Sequence, residues 1–220
     1  MLREPSNHSN TPLLPKASSA QGTVMLVLVI TAIIVSGISP HNRFDWLLEN
    51  LLPVTLVLGL AAGWRRLRLS WQAYLAILLL LAIHELGAHF TYAQVPYEQW
   101  TRDITGHSLN EALGWKRNQY DRLVHLSYGL LFVIPLKEVL CRQTPLRGLW
   151  LVLLTVSLVL ATSALYELIE WIGGQYLGDD KAKAFLATQQ DPWDAQKDMA
   201  LALVGALFTL AAQAATQFKR

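Results

Sequence analysis

A single cysteine, Cys141, stands among the 220 residues, which excludes an intrachain disulfide and any metal site built on thiolates. Charge is almost as scarce. Only 15% of the chain is Asp, Glu, Lys or Arg, and the net charge is +2. So small an excess, scattered among separate loops, excludes the basic face that nucleic-acid binding needs. Gly-rich phosphate loops, Walker sequences and Gly-x-Ser-x-Gly elbows are missing, which argues against nucleotide use and serine hydrolysis. Internal repeats and heptads are also missing. What the chain has is hydrocarbon. Hydrophobic residues make up 53% of it, in blocks too long for so few charges to solubilise.

A helix needs about 20 largely apolar residues to cross a bilayer core. Six stretches qualify: 22–38, 46–62, 69–92, 120–140, 149–171 and 193–218. The expectation is therefore an all-α, polytopic membrane protein: one six-helix transmembrane domain over 22–218, preceded by a disordered tail over 1–21 rich in Ser, Asn and Pro. The first stretch reads as a retained anchor rather than a cleaved signal, because five more spans follow it. The second is the least regular, carrying Glu49, Asn50 and Pro53. Basic residues set the orientation. Arg3, Lys16, Arg65, Arg66, Arg68, Lys137, Arg142, Arg147, Lys219 and Arg220 fall on one side; Arg43, Arg102, Lys116, Arg117, Lys181 and Lys183 fall on the other. The bias predicts that both termini are cytoplasmic. It makes 93–119 and 172–192 the longer outer loops, each with room for a short interfacial helix.

With this topology the ionisable residues gather at one level. The third span ends with His84, Glu85 and His89, the fourth begins with Asp121, Arg122 and His125, and the fifth ends with Glu167 and Glu170. The sixth begins with Asp191, Asp194, Lys197 and Asp198, and Glu49 and Asn50 sit near the outer end of the second. The inner halves are mostly Leu, Val and Ala. Spacing adds direction: Glu85/His89, Asp121/His125 and Tyr166/Glu170 are four apart, Glu167/Glu170 three, and Asp191, Asp194 and Asp198 follow i, i+3, i+7. Asp198 lies about 7 Å beyond Trp193 at 1.5 Å per residue, a depth at which an ionised group must be paired, protonated or metal-bound.

Several of these residues also have plain structural readings. Asp191 before Pro192 suits an N-cap with proline at N1, and Asp194 then falls at N3. Lys197 is placed to pair with Asp194, and Arg122 with Glu167 or Glu170. Trp46, Trp171 and Trp193 suit an interfacial belt. The run from His84 to His89 is not the zinc-protease His-Glu-x-x-His, because its histidines are five apart and face different ways around the helix. A His/Asp/Glu metal site of another kind, a hydrogen-bonded polar core and a proton or ion pathway all remain compatible with the pattern.

Four motifs resemble the YjdF family of small bacterial inner-membrane proteins: His84-Glu85-Leu86-Gly87-Ala88-His89-Phe90-Thr91-Tyr92, Arg117-Asn118-Gln119-Tyr120-Asp121-Arg122-Leu123-Val124-His125, Tyr166-Glu167-Leu168-Ile169-Glu170-Trp171 and the segment 188–199. The resemblance spans about 22–215; Gln190 stands where that family would carry glycine. It implies an inner-membrane location and a multi-helix fold, and no particular activity. A narrower likeness, Ser163-x-x-x-Glu167 with Asp191, Asp194, Asp198 and Gly205, is similar to VanZ-like membrane proteins, with Asp198 in place of their usual asparagine; it implies envelope lipid or glycopeptide-related biology.

The functional expectation is a membrane-embedded enzyme, dependent on a divalent metal such as zinc or manganese, acting on a lipid or lipid-linked group at the outer leaflet. The candidate acid/base groups are Glu85, Asp121, Glu167, Glu170, Asp194 and Asp198. The candidate metal ligands are His84, Glu85, His89, Asp121, His125, Glu170 and Asp198. Arg122 and Lys197 are the candidates for holding an anionic head group. The alternatives are a proton- or ion-coupled transporter using the same carboxylates, and a non-catalytic assembly factor with a polar core.

Overall fold

The computed structural model describes residues 14–177 and 191–217. Among these, every regular element is helical except one isolated bridge between Lys16 and Ser70. Six segments are long and apolar enough to cross a membrane, as expected. They are α1 (Ser19–Ser36), the pair α2 (Arg43–Glu49) and α3 (Leu51–Leu67), α4 (Trp71–His89), α7 (Tyr120–Gln143), α8 (Gly148–Leu177) and α9 (Asp194–Gln217). Two short helices, α5 (Tyr97–Thr105) and α6 (Leu109–Leu113), fill the connection between α4 and α7, as the length of that loop suggested. The residues 178–190 and the start of the tail, 1–13, lie outside the described residues, and with them Gln190, Lys181 and Lys183.

The first helix begins a few residues before the expected start of the first span, at Ser19. Ser18 and Gln21 form a reciprocal capping box that starts α1 at Ser19, and the Ala17 amide donates to the Leu69 carbonyl at 2.9 Å. The larger departure is in the second span, which is broken at Asn50 rather than continuous. Proline is the cause. An α-helix needs an N–H at position 53 to satisfy the carbonyl of residue 49, and Pro53 has none. The freed Glu49 carbonyl becomes a buried acceptor that takes a partner from another helix, described below.

The helices alternate in direction, so two faces are distinguishable. The terminal face holds Leu14, the α3–α4 turn and the α7–α8 turn, tied together by Arg142 to the Leu14 carbonyl at 2.8 Å and Gln143 to the Arg66 carbonyl at 3.1 Å. Its hub is Glu138, which accepts from the amide and hydroxyl of Ser70, both at 2.6 Å, and from Arg142 at 2.7 Å. Both charged side chains are 8% exposed. The far face holds the α1–α2 turn, α5, α6 and the start of α9.

Helices α7 and α9 run parallel and pack more closely than any other pair. Small residues permit this. A Cβ at Gly129 would lie 1.9 Å from the Ala202 carbonyl oxygen, and one at Gly205 2.5 Å from that of Leu126. Stepping four residues at a time from Gly129/Ala202 toward the far face brings His125 to Asp198 and then Asp121 to Asp194; stepping the other way brings Val133 to Ala206 in the buried core. The register of the acidic stripe is thus set by glycines lying deeper in the membrane. Gly129→Ala should cost about 1–3 kcal/mol of overpacking, seen as a lower unfolding midpoint in detergent. Gly59→Ala on α3, where a new Cβ meets nothing within 4 Å, is the matched control and should change little.

Candidate functional site

Three donors from two helices converge near the far face. One ligand atom each from Asp121, His125 and Asp198 lies within 4.8 Å of the others, and all three residues are buried. Helix α8 supplies a fourth group. His125 Nε2 stands 3.6 Å from Asp121 Oδ1 and 3.5 Å from Glu167 Oε1. Both separations are long for hydrogen bonds, and that between His125 and Asp121 matches the spacing of atoms that share an ion. Ligands roughly 2.0–2.2 Å from a tetrahedral metal stand about 3.3–3.6 Å apart. Asp198 is 2% exposed, and its Oδ1, Glu167 Oε1 and the Ser163 hydroxyl are buried without a hydrogen-bond partner. Native interiors seldom leave such atoms bare, so the three mark a place where something else belongs. Glu170 adjoins this group, next to Glu167, Glu49 and Tyr166.

The remaining candidates from α4 sit in the same layer but serve neighbouring contacts. His84 Nε2 donates to the Glu49 carbonyl freed by Pro53, at 3.2 Å. A carbonyl only accepts, so this nitrogen carries the proton and Nδ1 accepts from the Tyr92 hydroxyl at 2.5 Å. Both ring nitrogens of His84 are therefore occupied. Tyr92 reaches it because the chain turns back through Thr91 and Tyr92, both left-handed at φ 54° and 48°, and because residue 87 is glycine; a Cβ there would meet the Tyr92 ring at 2.8 Å. Burial pushes the Tyr92 phenol well above its ordinary range, so it stays a donor. His89 turns the other way and donates through Nδ1 to the Ser36 carbonyl at 2.8 Å. Glu85 accepts from the Ser36 hydroxyl at 2.5 Å, and that hydroxyl accepts from the Trp46 indole at 2.9 Å. The Tyr166 hydroxyl donates to Glu49 at 2.9 Å.

Just beyond the carboxylate layer lies an ion-pair cluster. Arg122 pairs with Asp191 and, at 3.5 Å, with Asp194. Arg117 pairs with Asp194 and stands 3.8 Å from Asp191. Lys197 reaches Asp191 at 2.6 Å. The expected partners of Arg122 (Glu167 or Glu170) and of Lys197 (Asp194) are thus replaced. Asp191 lies outside the helix that starts at Asp194, so it meets side chains from both α7 and α9. Its oxygens also accept from the Trp193 amide at 3.1 Å. The Lys197 hydrogen bond, then the Trp193 amide, hold its carboxyl down at about 2. Asp194 therefore belongs to this outer clamp.

The charge balance follows. Glu49, Glu85, Asp121, Glu167, Glu170 and Asp198 form one layer, while the described ion pairs of Arg117, Arg122 and Lys197 go to Asp191 and Asp194. Six carboxylates in a layer of low dielectric need protons or a cation. Sequence reasoning missed Tyr92, Arg117 and the Glu49 carbonyl; the signal for the last was Pro53, four residues on.

The layer opens into a cavity of about 370 Å³ bounded by α3, α4, α7 and α8. Its polar end carries His84, Tyr92, Asp121, His125, Ser163 and Tyr166; the rest of the wall is chiefly hydrocarbon.

The family model described as "Predicted membrane protein (DUF2238)" matches residues 22–219. The chain is 39% identical over 200 residues to the inner membrane protein YjdF of Escherichia coli (strain K12), covering 90% of this chain and 88% of that one. No solved structure matches.

Proposed function

The chain belongs to the DUF2238 family of predicted membrane proteins, and on that footing we propose that this multi-pass inner-membrane protein is a divalent-metal-dependent enzyme. Its substrate is a lipid or lipid-linked group at the outer leaflet, and both termini face the cytoplasm. The observation that carries the reading is the set Asp121, His125 and Asp198, spaced as ligands of one ion, with two buried carboxylate oxygens lacking donors. Two carboxylates and one imidazole suit zinc or manganese. Three protein ligands would leave a coordination position open, as catalytic rather than structural sites do. Glu167, 3.5 Å from His125, would serve as the general base beside such an ion. The orientation rests on the distribution of Lys and Arg. A relay site for transport would more naturally sit at the bilayer midplane, whereas this one lies near the far face.

Spheroplasts that overproduce the protein are compared with cells lacking it. A lipid or lipid-linked species that changes with the protein is expected, and a membrane-impermeant chelator added outside should stop the change. If no protein-dependent species exists in those fractions, the enzyme reading is lost. If purified protein instead collapses a proton gradient in liposomes, the transporter reading replaces it.

A further inference from the structure

We propose that the 370 Å³ cavity is a lateral groove for one hydrocarbon chain of a bilayer phospholipid, entering between α3 and α8 and presenting its head group to Asp121 and His125. This deepens the proposed function by naming how the substrate is held.

Three features point to that occupant. First, α3 and α8 bound the cavity but are not among the extensively packed helix pairs of the described residues. Their rims carry Leu52, Leu165 and Ile169, which are 43%, 55% and 42% exposed. In a six-span protein those rims face lipid, so the opening is to the bilayer rather than to water. Second, the wall has a direction. Leu56, Leu80 and Phe132 line the deeper part, where the hydroxyls of Thr55, Tyr128 and Thr162 are already hydrogen-bonded within the protein, while the carboxylate and imidazole groups are confined to the far-face end. Phe132 lies seven residues past His125, about 10 Å deeper along α7. An amphiphile with its head at the carboxylate layer and its tail toward the midplane matches this polarity; a soluble substrate would leave the apolar part unused. Third, the volume falls at the small end of the roughly 300–1,000 Å³ of typical ligand cavities, enough for one chain but not for the whole of a two-chain lipid. The Ser163 hydroxyl, buried and without a partner at the polar end, is then placed to donate to a head-group oxygen.

The test uses full-length protein in nanodiscs containing phosphatidylethanolamine with a diazirine midway along one acyl chain. After irradiation, adducts are mapped by mass spectrometry. Phe132 on the groove floor should be labelled, as should Phe208, which is 67% exposed on the outside of α9 and reports ordinary lipid contact. Thr162→Trp, from the α8 wall, and Leu56→Trp, from the α3 wall, should each reduce the Phe132 adduct at least fivefold and leave Phe208 unchanged. An unlabelled Phe132, or one labelled equally in both variants while Phe208 reacts normally, overturns the groove. The Phe208 signal and the helical circular dichroism show whether each variant has folded, and having two walls means one failed variant does not end the test. Metal binding by the same variants keeps the two readings apart. A labelled groove in a protein that binds no metal ends the enzyme reading alone, and a metal-binding protein with an unlabelled groove ends only this one.

Discussion

Asp198→Asn is expected to weaken divalent-cation binding by on the order of 100-fold or more, while Asp191→Asn leaves it within about twofold. Both residues belong to one acidic stripe, but depth along the helix already separates them, and their surroundings do so further. Asp191 is already satisfied by Lys197, Arg122 and the Trp193 amide, so its charge is spoken for at the membrane edge. Asp198 is buried to 2% exposure, with one oxygen lacking any donor, beside His125 and Asp121. Removing a carboxylate that ligates directly should cost more than the 10–100-fold typical of groups that only support ligands. Isothermal titration with zinc and manganese on the two variants decides. Equal, mild effects would return the whole stripe to helix capping. Asp191→Asn should act on stability instead. Its carboxyl is held below its unfolded value, so its contribution is present above about pH 4 and fades as pH falls toward 2.

The second large effect is expected at the opposite face. Glu138→Ala should destabilise the protein by about 3–5 kcal/mol, because it leaves the Arg142 guanidinium buried without its carboxylate. It also removes the acceptor of the Ser70 amide and hydroxyl. Replacing both charges, as in Glu138→Leu with Arg142→Met, should recover only part of the loss. The ion pair's desolvation cost disappears, but the buried Ser70 amide remains without a partner. Unfolding midpoints in detergent report this, and a Glu138→Ala change below about 1 kcal/mol would mean the junction is not the hub its hydrogen bonds describe.

How much of this could be read from the residues differs from place to place. The six spans were legible because apolar length is a strong signal, and the carboxylate layer because depth along each helix follows from counting. The pairing of Asp121 with His125 was legible from i, i+4 spacing. Which way each helix turns was not. Spacing says that Glu85 and His89 share a face, but it cannot say that the face meets Ser36 on α1 rather than α7. That rotation is set by close contacts such as Gly129 against Ala202 and Gly87 against Tyr92. Arg122 could equally have reached α8 by spacing alone; in the fold it pairs with Asp191, just before α9. Spacing offers Glu138 only Arg142, four residues on; its other partner, Ser70, is remote in sequence.

Asp121, His125 and Asp198 should together hold one ion. Purified full-length protein, stripped and then titrated with zinc or manganese, should take up one equivalent per chain. X-ray absorption should show an oxygen-rich shell with one imidazole, and both the uptake and the imidazole signal should vanish in His125→Ala. No binding by the parent protein, or the same stoichiometry and shell in His125→Ala, would contradict it.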